Sequence, residues 1–348
     1  MSKTTIAIAI AAATATLAVA PAMARDLNAV TSLQQTNTIA RSFITTFVGA
    51  VNNAKGPVKI NYVGGQEVVP PRKAANALKR GQFDVLCSPT AYYIGTVPEG
   101  YALLAANQGP AALRKSGAWE ILQEVYAKKA GAHLLAWGEN MTSYNMYLAK
   151  KPKMKDGIPD LTGVKMRATG TYRPLFRALG GSTINIKSSE IFTAMQRGTV
   201  EGFGFTDVSF VPLGFHQVAK YYYYPGWHEP GPTLELIVNK DAYAMLPKDL
   251  QTIVEVAARA VNQDMLDEYT ARNNEALVTL VETHGVQLRK LPDEVVSELR
   301  GISAEMLEEL ADDSDIARRI AESVKAFQRQ ATAYHAISEE AYYEARKE

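Results

Sequence analysis

A single cysteine, Cys87, leaves this chain of 348 residues without any internal disulfide. It sits in the apolar run Phe83–Cys87 and reads as a small buried hydrophobe in a core strand. A catalytic thiol would need a base beside it, and the five histidines are scattered along the chain. Charge of one sign is also missing. The 37 lysines and arginines against 36 acidic residues give a net charge of +1, so there is no electrostatic case for nucleic acid or an anionic membrane surface. After the N-terminus no apolar run is long enough to span a bilayer. Catalytic signatures are absent as well: there is no HExxH, GxSxG, P-loop or close His/Cys pair. No two carboxylates stand out as an acid/base couple, and Asp84 and Glu99 read as ordinary surface positions.

What is present begins with a leader. Lys3 supplies a short positive start, Ile6 to Ala20 an apolar run, and Ala22-Met23-Ala24 a small-x-small cleavage site before Arg25. This predicts a secretory signal peptide over residues 1–24. The run is too short for a membrane anchor and is broken by threonines and Pro21. The remaining 324 of 348 residues are enough for two domains with their own cores. A hydrophobic fraction of 47% and a charged fraction of 21% describe an ordinary soluble protein.

The rest alternates strand and helix, the rhythm of an α/β protein with a mostly parallel sheet. Leu27 to Ser32 predicts a strand, Thr36 to Asn53 a helix, Val58 to Val63 a strand, Pro71 to Arg80 a helix and Phe83 to Cys87 a strand. Ala132 to Trp137 follows as a strand, Thr142 to Leu148 crosses to a second lobe, and Lys150 to Pro159 reads as a surface loop. Leu161 to Asp207 reads strand, turn, helix, strand, helix, strand, and Leu234 to Asn239 is a strand returning to the first lobe. Pro247 to Gly285 carries one long helical pattern with Pro at the start and Gly at the end. At 1.5 Å per residue it would reach about 50 Å, long enough to lie across both lobes. Two or three helices complete the chain. The expected division is lobe I from 25–142 with 239–285, and lobe II from 143–238 with 286–348, the latter holding the C-terminal helices.

Arg167 is the first candidate site residue. It closes the short alternation Val164-Lys165-Met166-Arg167 just before a turn, where a guanidinium can grip a carboxylate through two parallel hydrogen bonds. Nothing in the segment offers a nucleophile to attack what is gripped. Arg173 reads as a solvated helix-start residue, and Ser188 or Ser189 as an N-cap. Gly202-Phe203-Gly204 lacks the third glycine of a dinucleotide fingerprint and reads as a strand end where backbone approaches a ligand. Phe205, Thr206 and Asp207 would then line a cleft. Tyr92 or Tyr93 would reach it from lobe I. Trp227 and Glu229 stand in a turn bounded by Pro225-Gly226 and Pro230-Gly231, and Glu229 could ligate a cation or accept from a ligand hydroxyl.

GVKMR at 163–167, RALGGSTINIKSSEIFTAMQRGTVEG at 177–202 and YYYYPGWHEPGPTLELIVNKDAYAMLP at 221–247 resemble the substrate-binding proteins of TRAP transporters (tripartite ATP-independent periplasmic transporters), in the DctP-type family. The resemblance covers essentially the whole mature chain and is nearest the branch that includes 2-oxo-acid binders. It implies a two-lobed periplasmic binding protein, with a long helix spanning both lobes, that closes over a small organic acid and docks peripherally on membrane permease subunits. It implies no enzyme activity. Arg167 matches the family's carboxylate-clamping arginine. Glu229 matches a carboxylate that helps hold a sodium or calcium ion bridging to the ligand. The sequence departs from the branch at Gly204 and Phe205, where the relatives carry glutamate and tryptophan, and in the crossover strand, where a glutamine is replaced by Ser143, or by Tyr144 or Asn145 if the alignment slips. All are cation-site positions. Two readings therefore stay open: a 2-oxo or hydroxy monocarboxylate, and an aromatic or larger carboxylate held without a metal. A secreted enzyme using Asp207 or Glu229 beside Arg167 is the reading of another class.

Overall fold

The computed structural model describes residues 25–104, 114–139, 145–169, 172–226 and 233–346. The leader at residues 1–24 lies outside them. The described strands are β1 (Arg25–Thr31), β2 (Val58–Gly64), β3 (Val85–Cys87), β4 (Ala132–Glu139), β5 (Asn145–Leu148), β6 (Lys153–Lys155), β7 (Ile158–Asp160), β8 (Lys165–Arg167), β9 (Ser182–Ile184), β10 (Gly202–Phe205), β11 (Tyr221–Tyr224), β12 (Thr233–Asn239) and β13 (Gln287–Lys290).

They form two larger sheets, one per lobe. Lobe I has the order β2-β1-β3-β12-β4 and lobe II the order β13-β11-β5-β10-β8-β9. Each sheet has one reversed strand. In lobe I it is β12, antiparallel to both β3 and β4; in lobe II it is β5, antiparallel to both β10 and β11. Each reversed strand follows directly on a strand of the other lobe, so the two strand crossings are where the chain enters against the local direction. Short parallel strands such as β3 and β10 are buried along their whole length, which is why they read as apolar runs rather than alternations.

Apolar clusters cover both faces of each sheet. In lobe I one face packs Phe43, Phe47 and Val254, and the other Leu78, Leu122 and Trp137. In lobe II one face packs Met166, Phe176 and Leu299, and the other Tyr147, Phe203 and Phe215. The long helix Lys248–Val278 continues through Thr279–Thr283 to a left-handed Gly285, with no break at Asn273-Asn274. Its Leu250, Val254 and Met265 lie in the lobe I core, while Leu280 lies in a lobe II core, so it bridges the lobes.

Three expectations are corrected. Lys150 to Pro159 is not simply a loop: β6 and β7 form an antiparallel hairpin turned by Asp156 (φ 52°) and Gly157 (φ 84°). An Asp-Gly pair with two positive φ angles is the favoured two-residue hairpin turn. The lobe boundaries also shift. Residues 233–238 belong to the lobe I sheet through β12. The helix Asp293–Asp313 starts in lobe II with Val295 and Leu299 and ends in lobe I with Leu307 and Leu310. The next helix, Asp315–Ile337, puts Ala317, Ile320 and Val324 into the same lobe I core. That apolar stripe covers the helix Ala118–Val125, which would otherwise leave Leu122 bare. Third, Glu99 is not a surface residue. It is 1% exposed and pairs with Lys129 at 2.5 Å.

Candidate functional site

Between the lobes lies a small cavity lined by residues that follow strand ends. Leu33 follows β1, Pro89 and Tyr92 follow β3, Thr169 follows β8 and Thr206 follows β10. Ligands of open α/β sheets bind outside the carboxyl ends of the strands because the connecting loops converge there with free backbone groups. The cavity holds ≈ 50 Å³. Arg167 and Phe205 close it from lobe II, and Tyr269 of the long helix, 1% exposed, lines it as well.

Arg167 is the last residue of β8, flanked by β10 and β9, and is 2% exposed. Its Nε donates to the carbonyl of Ile186 at 3.2 Å, which fixes the plane of the guanidinium. No carboxylate among the described residues forms an ion pair with it. Among the described residues lining the cavity it is the only charged one. A buried cation without a counter-ion is costly unless something else supplies the charge.

The lobe I wall is held by a buried polar network. Glu235 on β12 is fully buried and accepts from Thr90 Oγ1 at 2.9 Å and from the Tyr93 hydroxyl. Burial pushes the Glu235 carboxyl up to about 8 and raises the Tyr93 phenol well above its ordinary value. Both hydroxyls belong to the tight turn Thr90–Tyr92 and its cap Tyr93, and this turn presents Ala91 and Tyr92 to the cavity. Opposite, Asn37 Oδ1 accepts from Ile39 N at 2.9 Å, capping the helix Thr38–Ser42 where it faces the cleft.

Of the expected site residues, the structure brings together Arg167, Tyr92, Phe205 and Thr206. Tyr93 is corrected: it is 2% exposed, points to Glu235 and does not line the cavity. Asn145 is 1% exposed and its Nδ2 donates to Tyr222 Oη at 2.6 Å, behind Phe205, with which it pairs across the sheet. Gly204 lies inside β10 opposite Met146. Asp207 opens the short helix Asp207–Phe210, but its side chain lies outside the described residues, as do Tyr144, Trp227 and Glu229. Neither Ser188 nor Ser189 caps a helix through its side chain. Arg173 is partly buried, with Nε donating to Thr183 Oγ1 at 3.3 Å. Cys87 is buried in β3, and burial raises its thiol far out of the reactive range.

The family model of DctP, the bacterial extracellular solute-binding proteins of family 7, matches residues 30–313. The chain belongs to this family. A monocarboxylate 2-oxoacid-binding periplasmic protein of Nostoc sp. is 31% identical over 314 residues, covering 85% of this chain and 84% of the relative. Among solved structures, a TRAP periplasmic solute-binding protein from Pseudoalteromonas atlantica with bound sodium and pyruvate superposes with a TM-score of 0.82 at 25% identity, covering 92% of this chain and 99% of the other. One from Colwellia psychrerythraea with bound calcium and pyruvate gives 0.80 at 24%, with coverage of 92% and 99%, and shares the fold. This DctP protein is accordingly a TRAP solute-binding protein, an extracytoplasmic carrier component and not an enzyme.

The sodium and calcium of those relatives raise the question of a cation here. At the two β10 positions singled out above, Gly204 has no side chain and Phe205 is apolar. The described cavity otherwise offers neutral oxygens, from Asn37, Thr169 and Thr206. No group of three or more His, Cys, Asp or Glu able to hold a metal occurs among the described residues. Calcium takes about six to eight oxygen ligands, usually with carboxylates among them, and the described residues of the cleft supply no carboxylate for such a set. A protein carboxylate for such a set would have to come from outside the described residues, where Glu229 lies.

Proposed function

We propose that this protein captures a small organic monocarboxylate in the cleft between its lobes, after export to the periplasm, and delivers it to the membrane permease subunits of a TRAP transporter. One observation carries the reading: Arg167 is buried, held by Ile186, and among the described residues has no carboxylate partner and is the only charge lining the cavity. A bound carboxylate compensates that cation and takes the hydrogen bonds of its two terminal nitrogens. The lobes are joined by the two strand crossings, the long helix and the helix Asp293–Asp313, and closure about such connections would shield the pair from water. Tyr92, Phe205 and Tyr269 around the cavity favour an acid with a flat 2-oxo or aromatic body.

The test is calorimetric titration of the mature protein and its Arg167→Ala variant with pyruvate and with an aromatic monocarboxylate, with and without a chelator. Removing one partner of a buried charge pair costs about 2–5 kcal/mol, at least roughly thirtyfold in Kd. The variant should lose that affinity while its unfolding temperature does not fall. Retained affinity would remove Arg167 as the clamp. An effect of the chelator would establish a divalent cation at the site, and an effect of replacing sodium by potassium a sodium ion.

A further inference from the structure

A groove of ≈ 540 Å³ lies where residues 94–101 of lobe I and the helix Arg173–Ala178 of lobe II meet the helix Asp293–Asp313. It shares no lining residue with the cavity over Arg167. Its floor is apolar. Ile94 and Tyr101 come from lobe I, Pro174 from lobe II, and Ile302, Met306 and Leu310 from the helix that joins the lobes. Tyr101 is 6% exposed and its hydroxyl donates to Met306 Sδ at 3.4 Å, which ties the two sides of the floor together.

One edge of the groove is acidic. Glu305, Glu309 and Asp313 stand four residues apart along the helix, all exposed and all lining the groove. Carboxylates spaced in this way repel one another. None of the three forms an ion pair among the described residues, whereas Glu308 beside them is paired with Lys325. No lysine or arginine lines the groove among the described residues. The whole chain is close to neutral at +1, so this edge is a local concentration of charge. A small-molecule site encloses its ligand. Here the rim residues Gly95, Glu305, Glu309 and Asp313 are exposed, which suits a segment of protein laid along the groove. An apolar centre with a polar rim is also how protein interfaces are built.

We infer that this groove docks a protein segment that sets lysine or arginine side chains against Glu305, Glu309 and Asp313 and an apolar ridge on the floor, and that the segment belongs to the permease subunits. The inference rests on the delivery reading above and adds to it the face presented and the chemistry that face selects. Two observations favour the permease over other partners. The groove is built from both lobes, so its width follows their arrangement. Ile94 also stands two residues after Tyr92, so one short stretch of chain runs from the ligand cavity to the groove. Exposed carboxylates are screened by salt, and they steer and select a partner more than they tighten its hold.

The experiment measures binding of the full mature protein to the purified permease subunits in nanodiscs by interferometry, at low and high salt. A reversal variant, Glu305→Lys/Glu309→Lys/Asp313→Lys, is compared with the neutral Glu305→Gln/Glu309→Gln/Asp313→Asn. A control reversal, Glu275→Lys/Glu282→Lys/Glu298→Lys, makes the same change in net charge at exposed positions outside the groove. The neutral variant should bind the permease about tenfold more weakly and the groove reversal more weakly still. The control should stay within about twofold of the wild type, and the losses should shrink at high salt. In the groove variants the unfolding temperature should not fall and the affinity for pyruvate should be that of the wild type. Equal losses in the groove and control reversals would reduce the effect to net charge and overturn the groove. Unchanged binding by the groove variants would overturn it and leave delivery to the permease standing. No binding by the wild type would remove delivery itself, and the groove with it. A wild-type dimer in sedimentation that the groove reversal dissociates would assign the groove to a second copy of this chain and overturn the proposal.

Discussion

Glu235 shows how far burial alone can move a residue from its ordinary chemistry. It lies in the middle of β12, between β3 and β4, and its acid sits at about 8 because the surrounding core disfavours the charged form. An unfolded glutamate titrates near about 4.3. Between those values the folded chain keeps a proton that the unfolded chain has released. The stability that Glu235 contributes is therefore complete at low pH and is lost as pH rises towards about 8. Glu235→Gln keeps the acceptor for Thr90 and Tyr93 and removes the titration. Unfolding temperatures measured from pH 5 to pH 8.5 should fall for the wild type relative to the variant by a few degrees or more, since about 1 kcal/mol moves a protein of this size by roughly 2–4 °C. A gap between the two that does not change with pH would mean that Glu235 is ionised throughout. None of this was visible in the sequence, where Glu235 is one polar residue in Thr233–Asn239. Arg167 was legible for the opposite reason: a cation ending an alternation has nowhere to go but the strand's mouth. Tyr269 was not, because on a helix buried from two sides a cleft-lining residue has the same spacing as a core residue.

At the scale of elements, β10 carries the sharpest difference between what its glycines suggested and what they do. The Gly-x-Gly run reads as backbone making room for a ligand, yet a Cβ at Gly202 would run into Leu148 Cδ2 and would lie 2.6 Å from Met166 Sδ. Gly202 is small because β5 and β8, on either side of it, fill the space with core side chains. Gly202→Ala should therefore cost about 1–3 kcal/mol by overpacking, read as a lower midpoint in denaturant, while ligand affinity of the folded fraction stays within about twofold. An unchanged midpoint would show that Leu148 and Met166 can give way. The strand and helix rhythm around β10 could be read because each short buried strand is a continuous apolar run closed by a turn residue. The β6–β7 hairpin escaped because Lys153–Lys155 is exposed at every position and has no apolar face to betray it. Its one signal was the Asp156-Gly157 pair.

For the molecule as a whole, neither lobe is a continuous piece of chain, and composition along the sequence does not reveal this. Lobe I is finished only by the last long helix, which arrives after the chain has left lobe II for the final time. Ala317, Ile320, Ala321 and Val324 are each at most 1% exposed in the core that also holds Leu122 and Trp137. The distal part behaves differently: Tyr334 is 64% and Ile337 77% exposed, and Glu339–Glu344 buries nothing. Two truncations separate these roles. Ending the chain after Asp313 removes four core residues, each at a cost of about 1–5 kcal/mol depending on its size, and should leave lobe I unable to hold its fold. Ending it after Ile337 should leave the unfolding temperature and ligand affinity unchanged. Hydrogen exchange can place the damage. In the shorter chain, protection should fall first in Ala118–Val125 and β4, which share the core of the lost helix, and last in β8–β10. Loss of protection in lobe II first would mean that the C-terminal helices support the second lobe, as the order of the sequence implied.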